Sequence, residues 1–287
     1  MNTKYNEPMN KHTTFKIGGP AAVFAEPSDS NELIEIIKKY REENTLFMVI
    51  GRGSNILFPD EGVDRAVIST MGMNKIHPAF GAGIIKAEAG ALLKNIAEQA
   101  MEQGLTGFEF AYGIPGTLGG AVRMNAGAHG GDISQVFRSA LVMDENGGIT
   151  RMFKDEMEFG YRESILSTRD LIVLECELIF EKGDRDTIKD KMNAFMEARN
   201  AKQPVDKPSA GSVFKRPGDG IYAAALIEEC GLKGFFIGGA QVSDKHSGFI
   251  INTGDGTAAD VRALIEYVKG VVFKEKGILL ETEVIIV

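Results

Sequence analysis

The sequence predicts a protein that mixes α-helices and β-strands in more than one domain. Helical and alternating apolar periodicities follow one another along the first half, which indicates strand–helix–strand units. Further on, a polar connection with two prolines, residues 203–208, looks like a domain boundary. With 287 residues, the chain is long enough for two or three modest domains, each with its own core.

The first strand–helix–strand unit begins with a strand over residues 21–26. Asp29 and Glu32 then form a capping-box-like start to a helix. Apolar residues at helical spacing would form its buried face: Leu33, Ile36, Ile37 and Tyr40. A short buried strand over residues 46–50 runs straight into a glycine loop, and the carboxyl end of a strand is where α/β folds place ligands.

A second unit and a run of strands follow. We predict a strand over 84–89 and an amphipathic helix over 91–103 that ends at Gly104. From residue 139 to 181 the pattern changes to strands, with a hairpin turn at 145–148. The remaining elements are a helix over 184–202, a loop over 209–217, a helix ending near Gly231, strands around 235–242 and 248–252, a helix capped by Thr257 and Asp260, and a final strand over 278–287.

Composition excludes several classes of protein. A net charge of -8 without any local Lys/Arg cluster argues against nucleic-acid binding. No apolar stretch is long enough to span a bilayer, and residues 1–12 lack the apolar core of a signal peptide. Cys176 and Cys230 lie in apolar settings and predict buried free thiols, so we expect a cytoplasmic protein without membrane association.

Glycines concentrate in residues 113–131, where 7 of the 19 positions are glycine. Because each glycine loses backbone entropy on folding, such a cluster needs a compensating use, for example close approach of the backbone to a ligand. Backbone N–H groups in such loops can point together at an anion. A smaller loop of the same kind occupies residues 51–55. Two anion-binding loops indicate a long ligand with a pyrophosphate, which is a dinucleotide-like cofactor.

Each candidate residue also has a structural interpretation. Gly51-Arg52-Gly53 can be a simple tight turn, since the dinucleotide fingerprint fails at Ile56. Arg162 has the character of a surface group, and Ser212 that of a turn residue outside any Gly-x-Ser-x-Gly elbow. Strand alternation would put Glu281 and Glu283 on one face, so Glu283 is either structural or a buried functional carboxylate. The histidines lack metal spacing: His12, His77, His129 and His246.

Taken together, several blocks of the sequence closely resemble the UDP-N-acetylenolpyruvoylglucosamine reductases, flavoenzymes of bacterial peptidoglycan precursor synthesis. The matching blocks, in the family's order, are residues 14–21, 51–55, 113–130, 160–164, 210–215, 231–234 and 283–284. The short spacing between Arg162 and Ser212 is similar to the compact branch of the family, which lacks an inserted loop carrying a tyrosine. We therefore assign no such tyrosine.

The resemblance implies an α+β fold with an FAD-binding region of the vanillyl-alcohol-oxidase (PCMH) type. We expect subdomains at 1–75 and 76–203 and a substrate domain at 204–287. FAD would be held noncovalently, although His129 stands where many relatives have tyrosine. The residues expected to bind FAD are Gly51, Arg52, Gly53, Ser54, Asn55, Gly113, Ile114, Pro115, Gly116, Thr117, Gly119, Gly120, Ala121, Asn125, Ala126 and Gly127.

The implied reaction is the NADPH-dependent reduction of the enolpyruvyl ether of UDP-N-acetylglucosamine to UDP-N-acetylmuramate. Arg162 would stabilise the enolate-like charge together with a protonated Glu283, and Ser212 would protonate C2. The residues expected to contact the substrate or its diphosphate are Tyr161, Arg216, Lys233 and His246.

Two other functions stay open at the level of sequence. One is an FAD-dependent oxidase or dehydrogenase of the same fold that acts on an alcohol or a hydroxy acid. The other is a nucleotide-binding regulatory protein that has lost catalysis, although the presence of Arg162, Ser212 and Glu283 argues against it. The sequence implies no metal and no obligate protein partner.

Overall fold

The computed structural model describes residues 2–80 and 83–287 of the chain, which divides into two compact units. The first unit comprises the residues up to Lys4 together with Val23–Arg52 and Arg65–Ala198. The second comprises Tyr5–Ala22, Gly53–Asp64 and Arg199–Val287. Each unit is therefore assembled from separate segments of the chain. The predicted boundaries at 1–75, 76–203 and 204–287 stay a prediction.

The helices of the described residues are α1 (Ser30–Glu42), α2 (Leu93–Glu102), α3 (Leu118–Arg123), α4 (Arg185–Lys202), α5 (Ala223–Glu229) and α6 (Ala258–Lys276). The strands are β1 (Asn2–Pro8), β2 (Pro20–Glu26), β3 (Phe47–Ile50), β4 (Ile56–Leu57), β5 (Val63–Ser69), β6 (Ile76–Phe80), β7 (Ile84–Glu88), β8 (Leu105–Thr106), β9 (Gly127–Ala128), β10 (Gly131–Asp132), β11 (Phe137–Met143), β12 (Ile149–Phe153), β13 (Ile172–Ile179), β14 (Glu181–Lys182), β15 (Ser209–Ser212), β16 (Phe236–Ile237), β17 (Ala240–Val242), β18 (Phe249–Asn252) and β19 (Ile285–Ile286). None of the helices in this described part is long and apolar enough to cross a membrane.

The first strand–helix–strand unit is confirmed. One sheet has the strand order β1-β2-β5-β3, and β3 runs parallel to β5. The carboxylate of Asp29 accepts hydrogen bonds from the N–H groups of Asn31 and Glu32, which starts α1 where the sequence predicts it. The predicted face of α1 is buried and packs into a core cluster that includes Ile68 and Leu174.

The middle of the chain forms a five-stranded sheet of order β12-β11-β13-β7-β6, in which every pairing is antiparallel. Asp144 closes the predicted hairpin turn by accepting from the N–H groups of Asn146 and Gly148. One face of β13 contributes Cys176 and Leu178 to the core. Residues of α2 and α4, among them Ile96 and Ile188, pack into the same cluster, which agrees with the amphipathic helix that the sequence predicts at α2.

The second unit is built on an antiparallel sheet of order β15-β18-β17-β16. Its helix α6 begins with the predicted capping box, in which Thr257 and Asp260 exchange side-chain-to-backbone hydrogen bonds. The buried face of α6 packs with residues of α5 and of the sheet into one core cluster. A short parallel pair joins β19 to β4 through Ile285 and Ile56.

Several sequence predictions are wrong. Cys176 is buried as predicted, but Cys230 is only half-buried. The strand predicted to be buried over residues 46–50 has an exposed Leu46, and within β3 only Ile50 is buried. The glycine-rich segment 113–131 contains the short helix α3, which the loop prediction missed. The predicted loop at 209–217 begins with β15. The predicted strand over 278–287 is reduced to β19 and an isolated bridge from Thr282 to Phe214. Alternation alone misjudged this last segment, because regular strand geometry requires a continuous partner and only short stretches find one.

Candidate active site

The loop after β3 and the glycine-rich segment meet at Thr117, within the first unit. A Cβ atom built on Gly51 would lie 2.0 Å from Oγ1 of Thr117, so the threonine side chain would have to move. Thr70, just beyond β5, donates its hydroxyl to the carbonyl of Ile50 and holds the end of β3. Glycine at position 51 therefore lets the two loops that the sequence singled out come into this contact with Thr117 as it stands.

Thr117 carries a buried polar atom that nothing in the described chain satisfies. Its Oγ1 is buried without a hydrogen-bond partner among the described residues. Although Thr117 occupies the N-cap position of α3, its side chain makes no capping bond. Because a buried, unpaired hydroxyl costs about 1–3 kcal/mol, such a group needs a reason. A ligand with hydrogen-bonding oxygens, as in FAD, would give this hydroxyl its partner.

The two glycines of α3 differ in what surrounds them. Gly119 donates its N–H to the carbonyl of Ala89, and a Cβ there would lie 3.1 Å from the Cβ of Ala89. Packing within the chain therefore explains Gly119. Gly120 is exposed, and its added Cβ would meet nothing closer than Thr117 Oγ1 at 3.7 Å. No internal clash accounts for a glycine at 120, which fits close approach of a ligand on that side.

The hairpin of β9 and β10 is anchored by Asn125, a predicted cofactor residue. Its side-chain amide donates to the carbonyl of Gly160 at 2.9 Å and accepts from the N–H of Ser134 at 3.0 Å. Asn125 is buried and has a φ of 39°, in the left-handed region that asparagine tolerates. Its amide therefore connects segments of the protein itself.

Arg162 is attached to the same hairpin. Its guanidinium donates to the carbonyl of Gly127 at 3.1 Å and lies 5.3 Å from the ring centroid of Tyr161. Its own backbone is left-handed, with a φ of 59°. The predicted charge-stabilising arginine is thus oriented by a residue of the predicted cofactor segment.

His129 stacks on a phenylalanine of α4. The rings of His129 and Phe195 are 4.2 Å apart between centroids and inclined by 6°. The φ of His129 is 53°, at the tip of the β9–β10 hairpin. The contact between Phe195 and this segment could not be predicted from the sequence, because no local pattern connects residues so far apart.

In the second unit, Gly53 packs tightly against the segment before β2. Its φ is 66°, and an added Cβ would lie 2.1 Å from the carbonyl oxygen of His12. The carbonyl of Gly53 accepts from the N–H of Thr14 at 3.1 Å, and the hydroxyl of Thr14 donates to the carbonyl of Ser209 at 2.7 Å. Thr14 belongs to a block of the family resemblance, but the sequence analysis gave it no role.

Ser212 and Glu283 are brought onto neighbouring segments of the second unit. Ser212 ends β15 and pairs with Phe249, while the N–H of Glu283 donates to the carbonyl of Val213 at 2.7 Å. The side-chain amide of Asn55 donates to the carbonyl of Glu283 at 3.0 Å. Two residues that are 71 positions apart in the numbering of the chain thus become backbone neighbours. Arg162 belongs to the first unit.

Glu228 forms an ion pair with Lys233, a predicted substrate-binding residue, and its charge also acts on a second one, His246. Lys233 Nζ lies 2.9 Å from Glu228 Oε1, and the hydroxyl of Ser247 donates to the other carboxylate oxygen at 3.4 Å. Burial lowers the pKa of His246, whose Nδ1 accepts the N–H of Gly248 at 3.1 Å. Sequence reasoning missed Glu228, which lies on α5 without a distinguishing pattern.

The remaining predicted substrate residue, Arg216, lies with its guanidinium 5.0 Å from the ring centroid of Tyr222. In the ranges 2–80 and 83–287, no group of three or more His, Cys, Asp or Glu side chains is arranged to hold a metal ion. The predicted catalytic and substrate-binding positions offer hydroxyl, guanidinium, ammonium, imidazole and carboxyl groups.

Two known protein-family models match long stretches of the chain. A model described as an FAD binding domain matches residues 20–152, which include all of the predicted cofactor residues. A model for the C-terminal domain of UDP-N-acetylenolpyruvoylglucosamine reductase matches residues 203–287, which include Ser212 and Glu283.

Whole-chain relatives carry the same name. The reductase of Caldanaerobacter subterraneus subsp. tengcongensis is 50% identical over 282 residues, covering 98% of this chain and 92% of that protein. That of Clostridium novyi is 46% identical over 284 residues, with 99% and 92% covered. The crystal structure of UDP-N-acetylenolpyruvylglucosamine reductase from Thermus caldophilus superposes with a TM-score of 0.82 at 32% identity, covering 100% of this chain and 99% of that one. These matches confirm the predicted α+β fold with its FAD-binding region, and the chain belongs to the UDP-N-acetylenolpyruvoylglucosamine reductase family.

Proposed function

We propose that this protein is an FAD-containing oxidoreductase that uses NADPH to reduce the enolpyruvyl ether of UDP-N-acetylglucosamine, giving UDP-N-acetylmuramate for peptidoglycan synthesis. The observation that carries the proposal is the unsatisfied hydroxyl of Thr117 at the contact with Gly51. The family supports the same cofactor and the same substrate class, a small UDP-sugar.

Thr117 and the glycines around it would hold FAD noncovalently. Gly51 lets the loop after β3 approach Thr117, and the open side of Gly120 leaves room for a ligand next to the same hydroxyl. When bound, FAD supplies the chemistry of accepting a hydride from NADPH and delivering it to carbon. The backbone and the Thr117 hydroxyl bind the cofactor without forming a covalent link.

Reduction of the double bond adds a hydride at C3 and a proton at C2 of the enolpyruvyl group. Hydride addition at C3 leaves negative charge that spreads from C2 into the carboxylate. In the proposal, Arg162 stabilises this charge, and Glu283 assists it as a hydrogen-bond donor. Anchoring of the Arg162 guanidinium to Gly127 supports its role, because a preoriented charge needs no reorganisation during the reaction.

Ser212 Oγ donates the proton to C2. A serine hydroxyl is a weak acid, but a basic carbon centre shielded from water makes this transfer feasible. The backbone bond between Glu283 and Val213 puts the serine and the carboxyl group on adjoining segments, which supports a joint role for them.

Four residues are proposed to contact the nucleotide sugar: Lys233, His246, Arg216 and Tyr161. The shared position of Lys233 and His246 around Glu228 supports a common role for these two. A half-buried imidazole whose pKa is lowered by desolvation contributes hydrogen bonds rather than charge near neutral pH. The proposed place of action is the cytoplasm, where the nucleotide sugars are made.

Anaerobic mixing tests the proposal. The purified protein should be yellow and should lose its flavin absorbance when NADPH is added. Subsequent addition of the enolpyruvyl substrate should restore the absorbance and yield UDP-N-acetylmuramate. A flavin that is reduced by an alcohol or a hydroxy acid, and that this substrate does not reoxidise, would instead identify an oxidase or dehydrogenase. Denaturation with acid should release the flavin, whereas flavin that stays on the chain would contradict noncovalent binding.

A further inference from the structure

Asn55 belongs to the predicted cofactor loop, but its side chain is used inside the protein. Its amide Nδ2 donates to the backbone carbonyl of Glu283 at 3.0 Å. Both residues lie in the second unit. Asn55 is half-buried, and this contact spans 228 positions of the sequence.

The backbone carbonyl of Asn55 binds the same segment as its side chain does. Its carbonyl accepts from the N–H of Ile285 at 3.0 Å, where β4 and β19 begin to pair. Main chain and side chain of Asn55 therefore both bind the stretch that contains Glu283. The two bonds are made to the carbonyl of Glu283 and to the N–H of Ile285, on either side of Val284, and together they hold this stretch of backbone in place.

Glu283 has a second backbone anchor. Its N–H donates to the carbonyl of Val213, the residue after Ser212, at 2.7 Å. The N–H and the C=O of Glu283 are thus held by different segments, which together determine the direction of its Cα–Cβ bond. Regular strand pairing cannot do this here, because β19 is only 2 residues long and begins at Ile285.

The loop that carries Asn55 is also connected to the strand of Ser212. Thr14 makes this connection. Its N–H donates to the carbonyl of Gly53, and its hydroxyl donates to the carbonyl of Ser209 at the start of β15. The residues 53–55 are therefore hydrogen-bonded, directly or through Thr14, to both segments that bear the proposed proton-handling groups.

We propose that Asn55 is a positioning residue for Glu283, and that through it the predicted cofactor loop sets the orientation of this carboxyl group. The inference rests on the proposed function, since it assigns Glu283 to the reduction of the substrate. It differs from the expectation that Asn55 binds FAD, because it assigns the side-chain amide, one of whose two N–H groups donates to the carbonyl of Glu283, to holding this segment. Asn55 would act in the step that uses Glu283.

The experiment compares Asn55→Ala, Glu283→Gln and the double variant. FAD affinity is measured by flavin fluorescence on the apoproteins, and the two half-reactions by anaerobic stopped flow. Thr253→Val is a matched control, because the hydroxyl of Thr253 donates to the carbonyl of Gly239 in the same unit but outside the proposed site. It should leave FAD affinity and both half-reactions unchanged. If Asn55→Ala is insoluble, Asn55→Ser is measured by the same criteria.

We expect Asn55→Ala to change the FAD dissociation constant and the rate of flavin reduction by NADPH by less than about threefold, which is under 1 kcal/mol. The limiting rate of flavin reoxidation by the enolpyruvyl substrate should fall about 10²-fold, as for a misplaced catalytic group. The half-saturating substrate concentration should change little. In the double variant, the loss should not exceed that of Glu283→Gln alone, because one interaction is removed in both.

Two results would overturn the inference, and they are distinguishable from failure of the proposed function. A rise of tenfold or more in the FAD dissociation constant of Asn55→Ala would make Asn55 a cofactor ligand. Additive losses in the double variant would show that Asn55 and Glu283 act independently. If Glu283→Gln itself leaves reoxidation unchanged, the assigned role of Glu283 fails first, and the positioning role fails with it.

Discussion

Replacing Gly120 by alanine should affect folding and cofactor binding in opposite directions. Gly120 is an exposed glycine within α3. Apart from the backbone of α3 itself, the nearest atom of the described residues to an alanine Cβ there would be Thr117 Oγ1, at 3.7 Å. In a helix interior, alanine is more favourable than glycine by up to about 1 kcal/mol. The apoprotein should therefore gain stability, equivalent to a rise of about 2–4 °C in Tm for a chain of this size class.

FAD binding should weaken in the same variant. The atom nearest to the new methyl group is Oγ1 of Thr117, the hydroxyl that lacks a partner among the described residues. A methyl group forced into an occupied contact typically costs about 1–3 kcal/mol. This free energy corresponds to a rise of about 5- to 150-fold in the FAD dissociation constant.

The measurement pairs thermal unfolding of the apoproteins with titration of FAD by fluorescence. Gly270→Ala is the matched control, since Gly270 is an exposed glycine inside α6 with nothing within 4 Å of its added Cβ. It should gain similar stability and keep wild-type FAD affinity. If Gly120→Ala stabilises the apoprotein and binds FAD normally, Gly120 does not approach the cofactor. If Gly120→Ala destabilises the apoprotein, glycine at position 120 is needed for the fold, and the expected gain in stability is refuted.

Three further outcomes are expected. Ser212→Ala should leave flavin reduction by NADPH near normal and slow reoxidation by the substrate about 10²–10⁴-fold in stopped flow, with partial recovery in Ser212→Cys; equal slowing of both would mean that Ser212 only positions ligands. Thr117→Val should stabilise the apoprotein in urea unfolding by about 1 kcal/mol, because a buried unpaired hydroxyl is removed, and should weaken FAD binding; unchanged FAD affinity would argue against the proposed cofactor contact. In the folded state, burial lowers the pKa of His246 below its ordinary value of 6.5, so the unfolded state binds more protons as the pH falls. The stability contribution of His246 is therefore present above pH 6.5 and should be lost as the pH falls through the folded-state pKa. The charge of Glu228 raises the pKa of His246 and that of Lys233 lowers it, but burial has the largest effect. The fall in the free energy of unfolding between pH 7.5 and 5.5 should therefore be smaller in His246→Asn and should persist in Lys233→Met.

Local patterns predicted the regular elements well. Asp29 and Thr257 start their helices where the sequence placed the caps, and the hairpin turn at Asp144–Gly148 formed as expected. These features depend on hydrogen bonds between residues a few positions apart, so the necessary information is local. The last segment was predicted less well, because Glu283 lies in a stretch whose partners, Val213 and Asn55, are distant in sequence.

By itself, the sequence determined the family and the α+β fold with its FAD-binding region, and it predicts the two glycine loops as the place of the cofactor. Only the tertiary structure separated the roles of individual residues within those loops. It gave Gly119 an internal packing partner, left Thr117 Oγ1 unsatisfied, and turned the side chain of Asn55 to Glu283. The physical reason is that composition records which groups a loop can offer, whereas their hydrogen bonds depend on which distant segments fold against that loop.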